Sequence, residues 1–377
     1  MTRTGCVTLE FDPKLNRLGK DKELRQGLSV VIQIGDSLCV TNDETVSLER
    51  LSRVAGEKEG DLKYGDHKQF ALSDYLGLPV SPPDGIEEAD VEGLDYRGGY
   101  LWLVGSHSLK RKQPDKKTLE KNFERLADVT SDGNRYLLAR IPVVEKGGSF
   151  TLEKEVSLGG ERRVAAQLPC SEIDNDLTKA LAEDMHLGRF LKIPGKDNGF
   201  DIEGLAVTNE GRVFLGLRGP VLRGWAVILE LEPEPDERDQ SSLKLKGINS
   251  KNPFNPSNPT YRKHFLNLGG LGIRDLCLHG SDLLILSGPT MDLDGPVTVF
   301  RWKGGASPKG ESLVPFAELE KVIDIPYGVE EDHAEGIALF SPDGQKRNSL
   351  LVVYDSASCI RQAGASGLKA DVFALPD

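Results

Sequence analysis

Nothing in this 377-residue chain approaches the roughly 18 consecutive apolar residues that a helix needs to cross a bilayer, so no membrane span is expected. Positive charge is in deficit: 47 Lys and Arg against 59 Asp and Glu leave a net charge of −12. The broad basic surface that grips a nucleic-acid backbone is therefore not expected, and neither is a nucleic-acid partner. Cysteine is scarce. Cys6, Cys39, Cys170, Cys277 and Cys359 lie far apart with no Cys-x-x-Cys pair, and they read as structural thiols that behave as small hydrophobes. The N-terminal run Met1 to Val7 lacks the apolar core of an export signal, which points to a cytoplasmic protein, expected as a monomer. Also missing are a Gly-x-Ser-x-Gly elbow, a His-Glu-x-x-His pair and a Gly-x-x-x-x-Gly-Lys-Ser/Thr loop. Serine-hydrolase, zincin and nucleotide-binding readings have no support without them.

What the chain does contain is a repeated hairpin. Asp201 to Val207 (Asp-Ile-Glu-Gly-Leu-Ala-Val) is followed across a Thr-Asn-Glu-Gly turn by the apolar run Arg212 to Gly219. Asp90-Val91-Glu92-Gly93-Leu94 leads likewise into Tyr100 to His107, and His333-Ala334-Glu335-Gly336-Ile337 into Leu350 to Ser356. Two copies are diverged: Gly272 to Leu276 before Asp282 to Gly288, and Leu28 to Val31 before Ser37 to Glu44. A recurring hairpin overrides a domain count taken from length. Each copy is followed by two further strand patterns except the fifth, which has only Ala370 to Ala374. The alternating Thr4 to Phe11 is left over and completes it, removing a free sheet edge. The expectation is an all-β protein, a single β-propeller of five four-stranded blades. The long gap between the second and third copies carries two helical patterns, read as insertions at about 110–130 and 170–200, with a sixth blade there as the alternative. The first pattern places Leu119, Phe123 and Leu126 at i, i+4, i+7; the second is capped by Ser171. Glu232 to Pro259, rich in Pro and Asn, reads as a surface loop.

In a propeller the innermost strand of each blade lines the channel, and its start lies beside the end of the second strand. One rim therefore gathers Asp90, Glu92, Asp201, Glu203, Arg274, Asp275, His333 and Glu335 from the starts, and Asn42, Asp43, Glu44, Ser106, His107, Arg218, Ser287 and Asp355 from the ends. Both helical insertions fall on this face as a wall or lid. Converging carboxylates repel unless compensated, which favours Ca²⁺ or a similar divalent cation on Glu92, Glu203, Glu335 and Asp43. Alternatively, Arg218 and Arg274 neutralise the ring themselves or hold a small anionic molecule, with Asp43, Glu44, His333 and Asp355 as further ligand-binding candidates. The plain structural reading makes each Glu-Gly a repeat signature for close blade packing.

The Asp-x-Glu-Gly-Leu openings, with Leu217-Arg218-Gly219-Pro220, Gly272-Ile273-Arg274-Asp275-Leu276 and Ser287-Gly288-Pro289, resemble an uncharacterised bacterial family classed as a domain of unknown function. More distantly, the Glu-Gly-Leu/Ile-Ala segments at Glu203 and Glu335 are similar to phytase-like esterase propellers. That second resemblance implies a calcium-dependent phosphoester or ester hydrolase. Its catalytic candidates are Glu203 at the ion, Arg218 and Arg274 orienting an anionic group, and His107 moving the proton. Arg274 stands where the other copies have a carboxylate, and the first copy has Leu28-Ser29. Ligand binding without turnover is the preferred expectation, because no specific catalytic motif is present.

Overall fold

Strands buried on both faces read as continuous apolar runs, and the second strand of every hairpin has that character (Val213-Phe214-Leu215, Leu283-Leu284-Ile285-Leu286). A computed structural model describes residues 3–20, 22–56, 60–80, 88–115, 118–248, 259–291, 293–329, 331–342 and 348–375. In it these runs form the second strands of five antiparallel groups. Blade 1 comprises β2 (Leu28–Ile34), β3 (Ser37–Asn42), β4 (Ser47–Val54) and β5 (Leu62–Ala71). Blade 2 comprises β6 (Val91–Arg97), β7 (Tyr100–Gly105), β8 (Leu138–Lys146) and β9 (Ser149–Leu152). Blade 3 follows as β10 (Asp201–Val207), β11 (Val213–Gly219), β12 (Trp225–Leu231) and β13 (Tyr261–Asn267). Blade 4 is β14 (Gly272–His279), β15 (Asp282–Gly288), β16 (Val297–Trp302) and β17 (Leu319–Ile325). Blade 5 has β18 (His333–Phe340), β19 (Ser349–Asp355) and β20 (Gly367–Ala374), and its outer strand is the N-terminal β1 (Arg3–Glu10).

The innermost strands pack in the cyclic order β2, β6, β10, β14, β18 and back to β2, which makes the architecture a β-propeller. The core is divided accordingly into five apolar layers, one between each pair of neighbouring blades. Trp102 and Val104 meet Leu215 and Leu229 between blades 2 and 3, and Val31 and Val40 meet Ala338 and Val353 between blades 1 and 5. Closure is made by β1. It pairs antiparallel with β20 (Val7 opposite Ala370, Leu9 opposite Leu368) and parallel with β5 (Val7 opposite Leu62, Leu9 opposite Tyr64), so blades 5 and 1 share one sheet.

The long gap holds α1 (Leu119–Ala127) and α2 (Asp176–Leu181); its other described strands are a two-residue pair, a four-residue pair and Ala166–Gln167, which pairs with β8. The cap of the second helix differs from expectation. Asn175, not Ser171, closes the N-terminus of α2 in a capping box with Thr178, while the Ser171 hydroxyl bonds to the Asp174 carboxylate (2.7 Å). The first helix has the expected stripe, but turned to solvent: Leu119, Phe123 and Leu126 are 70, 63 and 42% exposed. Within Glu232 to Pro259, Pro233–Pro235 pairs with Leu243–Leu245, and residues 249–258 lie outside the described residues.

Candidate functional site at the channel mouth

Every innermost strand slips its register against the second strand at the same height. In β6 the pairing jumps from Val91 to Gly93, in β10 from Ile202 to Gly204, in β14 from Ile273 to Asp275 and in β18 from Ala334 to Gly336. The residues passed over are Glu92, Glu203, Arg274 and Glu335. A bulge of this kind re-aims one side chain out of the alternation of the strand. In β2 the slip lies between Leu28 and Val31, so blade 1 contributes no charge there. The glycine after the bulge has a packing reason: a Cβ on Gly93 would lie 2.5 Å from Leu205 of the next blade, and one on Gly336 would lie 2.8 Å from the Ser29 carbonyl. Where the fourth copy has Asp275 instead, its carboxylate accepts the Leu276 and Ile337 amides (2.7 and 2.8 Å) and ties blade 4 to blade 5.

The bulged residues meet the ends of the second strands around a cavity of about 280 Å³. Arg218, at the end of β11, contacts Asp201 (Nη2 to Oδ2, 2.5 Å) and Glu203 (Nη1 to Oε1, 2.7 Å). Arg274 reaches Glu203 (3.2 Å) and Glu335 (2.8 Å). A third arginine, Arg135, comes from a turn ahead of β8 and holds Glu88 (2.6 Å), Asp90 (2.9 Å) and the Ser108 hydroxyl (2.8 Å). Lys110 pairs with Glu88 and with Asp132 (2.9 Å). These cations are thus already engaged by carboxylates. The acids nevertheless outnumber them, nine lining residues against five Lys and Arg.

Two carboxylates are in no ion pair. Glu92 and Asp43 line the cavity and make no hydrogen bond or ion pair among the described residues, and the Asp355 carboxylate is held only by Ser356. Burial, then the Asp90, Asp355 and Glu44 carboxylates, push Asp43 up to about 7 against a partial offset from Lys196. Burial and the surrounding Asp90, Glu203, Glu335 and Asp43 raise Glu92 well above the usual carboxylate range. Asp201 rises to about 6 by burial, although Arg218 opposes the shift. Carboxyls whose folded pKa is raised add stability that is complete below the unfolded value near 4 and is lost as pH climbs through the folded value. Melting temperature should therefore fall between pH 5 and pH 8. Glu92→Gln with Asp43→Asn should flatten that slope and gain about 1 kcal/mol or more at pH 8. Thermal melts of both proteins across this range check it, and an unchanged slope in the variant would mean that these groups are already well solvated.

The structure brings Asp43, Glu44, Glu92, Glu203, Arg218, Glu335 and Asp355 to one cavity, with Arg274 joined through its ion pairs. Of the expected catalytic, ligand-binding and metal candidates it leaves two out. His107 is 3% exposed, with Nδ1 2.7 Å from the Gly105 carbonyl and Nε2 2.6 Å from Asn175 Nδ2. Burial lowers its pKa to about 4, so the neutral ring pins the start of α2 to blade 2 and does not move a proton at the mouth. His333 stands at the rim, paired with Asp294 (3.0 Å), and does not line the cavity. The expected calcium set is also divided. Both oxygens of Glu203 face arginines, Glu335 faces Arg274, and among the described residues no three Asp, Glu, His or Cys side chains gather in a geometry that holds an ion. Calcium takes six to eight oxygens, and this donor set does not fit it. Sequence reasoning missed Glu88, from the connection between blades 1 and 2, and Ser108, Lys110, Arg111, Arg135 and Lys196, from the insertions or their flanks. The available signal was that both insertions emerge on this face.

Residues 27–371 match the model of a family described as a protein of unknown function, DUF3616. Among curated proteins nothing matches the sequence. Similar solved structures include the PQQ-bound aldose sugar dehydrogenase of Streptomyces coelicolor, at 10% identity and TM-score 0.38 over 92% of this chain and 95% of that one. Glutaminyl cyclase of Myxococcus xanthus is 11% identical at TM-score 0.36 over 98% and 95%. PhoX of Pseudomonas fluorescens, in complex with vanadate, is 10% identical at TM-score 0.31 over 98% and 75%. Likeness at this level carries no inference about chemistry.

Proposed function

Because the chain belongs to the DUF3616 family of proteins of unknown function, we propose its function from the channel mouth: it binds a small molecule through an ammonium or guanidinium group. One observation carries this reading. Glu92 and Asp43 line the cavity without a hydrogen bond or ion pair among the described residues, in a lining whose acids outnumber its cations, while Arg135, Arg218 and Arg274 are each paired with other carboxylates. A desolvated carboxylate that makes no hydrogen bond or ion pair is costly, and a ligand's N–H donors remove that cost through charge-assisted hydrogen bonds. The small anion considered from sequence meets a lining that is mostly acidic, with its expected guanidinium partners occupied. The calcium-dependent hydrolase lacks a gathered donor set, so binding is the better supported of the two.

The test uses thermal shift and calorimetry on the full chain with n-butylammonium, Ca²⁺ and phosphate as separate probes. Butylammonium should raise the melting temperature by mass action, about 2.7 kcal/mol at a hundredfold excess over its Kd. Glu92→Gln should abolish the shift, and the exposed Glu237→Gln should retain it. Binding of phosphate but not the amine, binding of Ca²⁺ alone, or no binding at all would each overturn the proposal.

A further inference from the structure

The insertion that walls the mouth carries an unexplained feature. α1 has no buried residue, and Leu119, Phe123 and Leu126 form one exposed stripe along it. Nine residues are marginal as a free helix, and this one draws no stability from a core. Polar contacts hold it beside the cavity instead. Arg125 Nε donates to the Gln113 carbonyl (2.7 Å), and Arg111 donates to the Leu126 carbonyl while pairing with Asp197 of the second insertion (2.7 Å). Arg111 and Gln113 are themselves cavity-lining residues. The second insertion is strapped on by the Gly195 amide, which donates to the Leu109 carbonyl (3.0 Å). The apolar stripe and the acidic opening thus share one wall. Leu293 and Val329, 59 and 79% exposed, stand in blade 4 connections that open onto the same face.

Resting on the binding reading above, we infer that this face docks a segment of another protein, inserting a Lys or Arg side chain into the mouth and laying flanking apolar side chains on the stripe of α1. Charge complementarity selects the occupant. A free small amine has no use for the stripe. A second copy brings another chain of net charge −12 and another acidic opening, and an anionic membrane surface is repelled likewise. Exposed apolar surface beside a polar pocket is the usual mark of a protein contact, and a long basic side chain reaches a recessed carboxylate while its own stem stays in apolar contact.

The probe is a random heptapeptide library selected on the full chain, with the recovered peptides measured by fluorescence anisotropy. Recovered sequences should share a Lys or Arg with Leu, Ile, Phe or Met within four positions. Replacing that Lys by norleucine in the peptide, or Glu92→Gln in the protein, should weaken binding by about tenfold or more. Phe123→Asp, at an exposed position that leaves the fold intact, should weaken the peptide by about tenfold and leave butylammonium binding unchanged. If Phe123→Asp does not affect peptides while the amine still binds, docking is refuted and the small-ligand function stands. If neither probe depends on Glu92, both proposals fail. Selection of acidic or uncharged peptides, or self-association that Phe123→Asp abolishes, also overturns the inference.

Discussion

Deletion of residues 1–11 is expected to lower the melting temperature by roughly 15 °C or more, or to leave the chain aggregated. β1 is the outer strand of blade 5 and at the same time the neighbour of β5, so its loss opens two sheet edges at once. It also removes Val7, Leu9 and Phe11, which are 0, 0 and 1% exposed. Each such side chain contributes about 1.5–3 kcal/mol by burial, against a total stability on the order of 5–15 kcal/mol for a folded domain. The bared strands present unpaired backbone groups, the usual template for edge-to-edge association. Calorimetry and size-exclusion chromatography of the deletion decide the matter. Leu9→Ala serves as the milder control, costing about 2–5 kcal/mol. A deletion that melts at the parental temperature as a monodisperse protein would show that the ring does not depend on this strand.

That closure was legible because period-2 alternation survives in a short strand, and Thr4 to Phe11 matches the observed Arg3–Glu10 to within a residue at each end. The innermost strands were legible for a related reason: Asp201–Val207 has the expected bounds, and the Glu-Gly signature recurs in phase with the blades. Gly within a strand signals a bulge or a close backbone approach, and here it marks both. The partners of each carboxylate were not legible. Arg274 meets Glu203 and Glu335 from 71 and 61 positions away, and only assembled blades fix whether a carboxylate faces a metal, an arginine or another acid. Arg135 belongs to a turn between the second and third strands of blade 2, outside the repeated hairpin signature, so that signature did not point to it. The α2 cap was ambiguous locally, since Ser171 and Asn175 are both good capping residues. Tertiary contact decided it: the Asn175 amide also bonds His107 and the Tyr136 carbonyl. The stripe on α1 obeys helical periodicity, but periodicity says only that one face is apolar, not that the face is covered.

The arginines therefore take over a role that sequence reasoning divided between arginine and metal, and Arg218 is the most exacting place to test it. Arg218→Met should destabilise the protein by about 3–5 kcal/mol at pH 8, because breaking a buried pair from one side strands the partner charges. Those partners are Asp201 and Glu203, 2 and 4% exposed. Although burial works against its charge, the Asp201 and Glu203 carboxylates, with Glu335 and Glu92 behind them, hold the Arg218 guanidinium even further above its ordinary value, so it stays charged at every working pH. The loss should be strongly pH-dependent. Asp201 already stands at about 6 with Arg218 present, and without it rises further. Raised carboxyls contribute stability in full below the unfolded value near 4 and lose it as pH rises through the folded value. The variant should accordingly recover most of its stability toward pH 5 and lose it again above pH 6. Urea titrations at pH 5 and pH 8 give the difference directly. Adding Asp201→Asn and Glu203→Gln to the variant should restore stability at pH 8, since the stranded charges are then gone. Equal destabilisation at both pH values, unrelieved by the neutral partners, would mean that Arg218 acts by filling space and that the carboxylate ring does not depend on its charge.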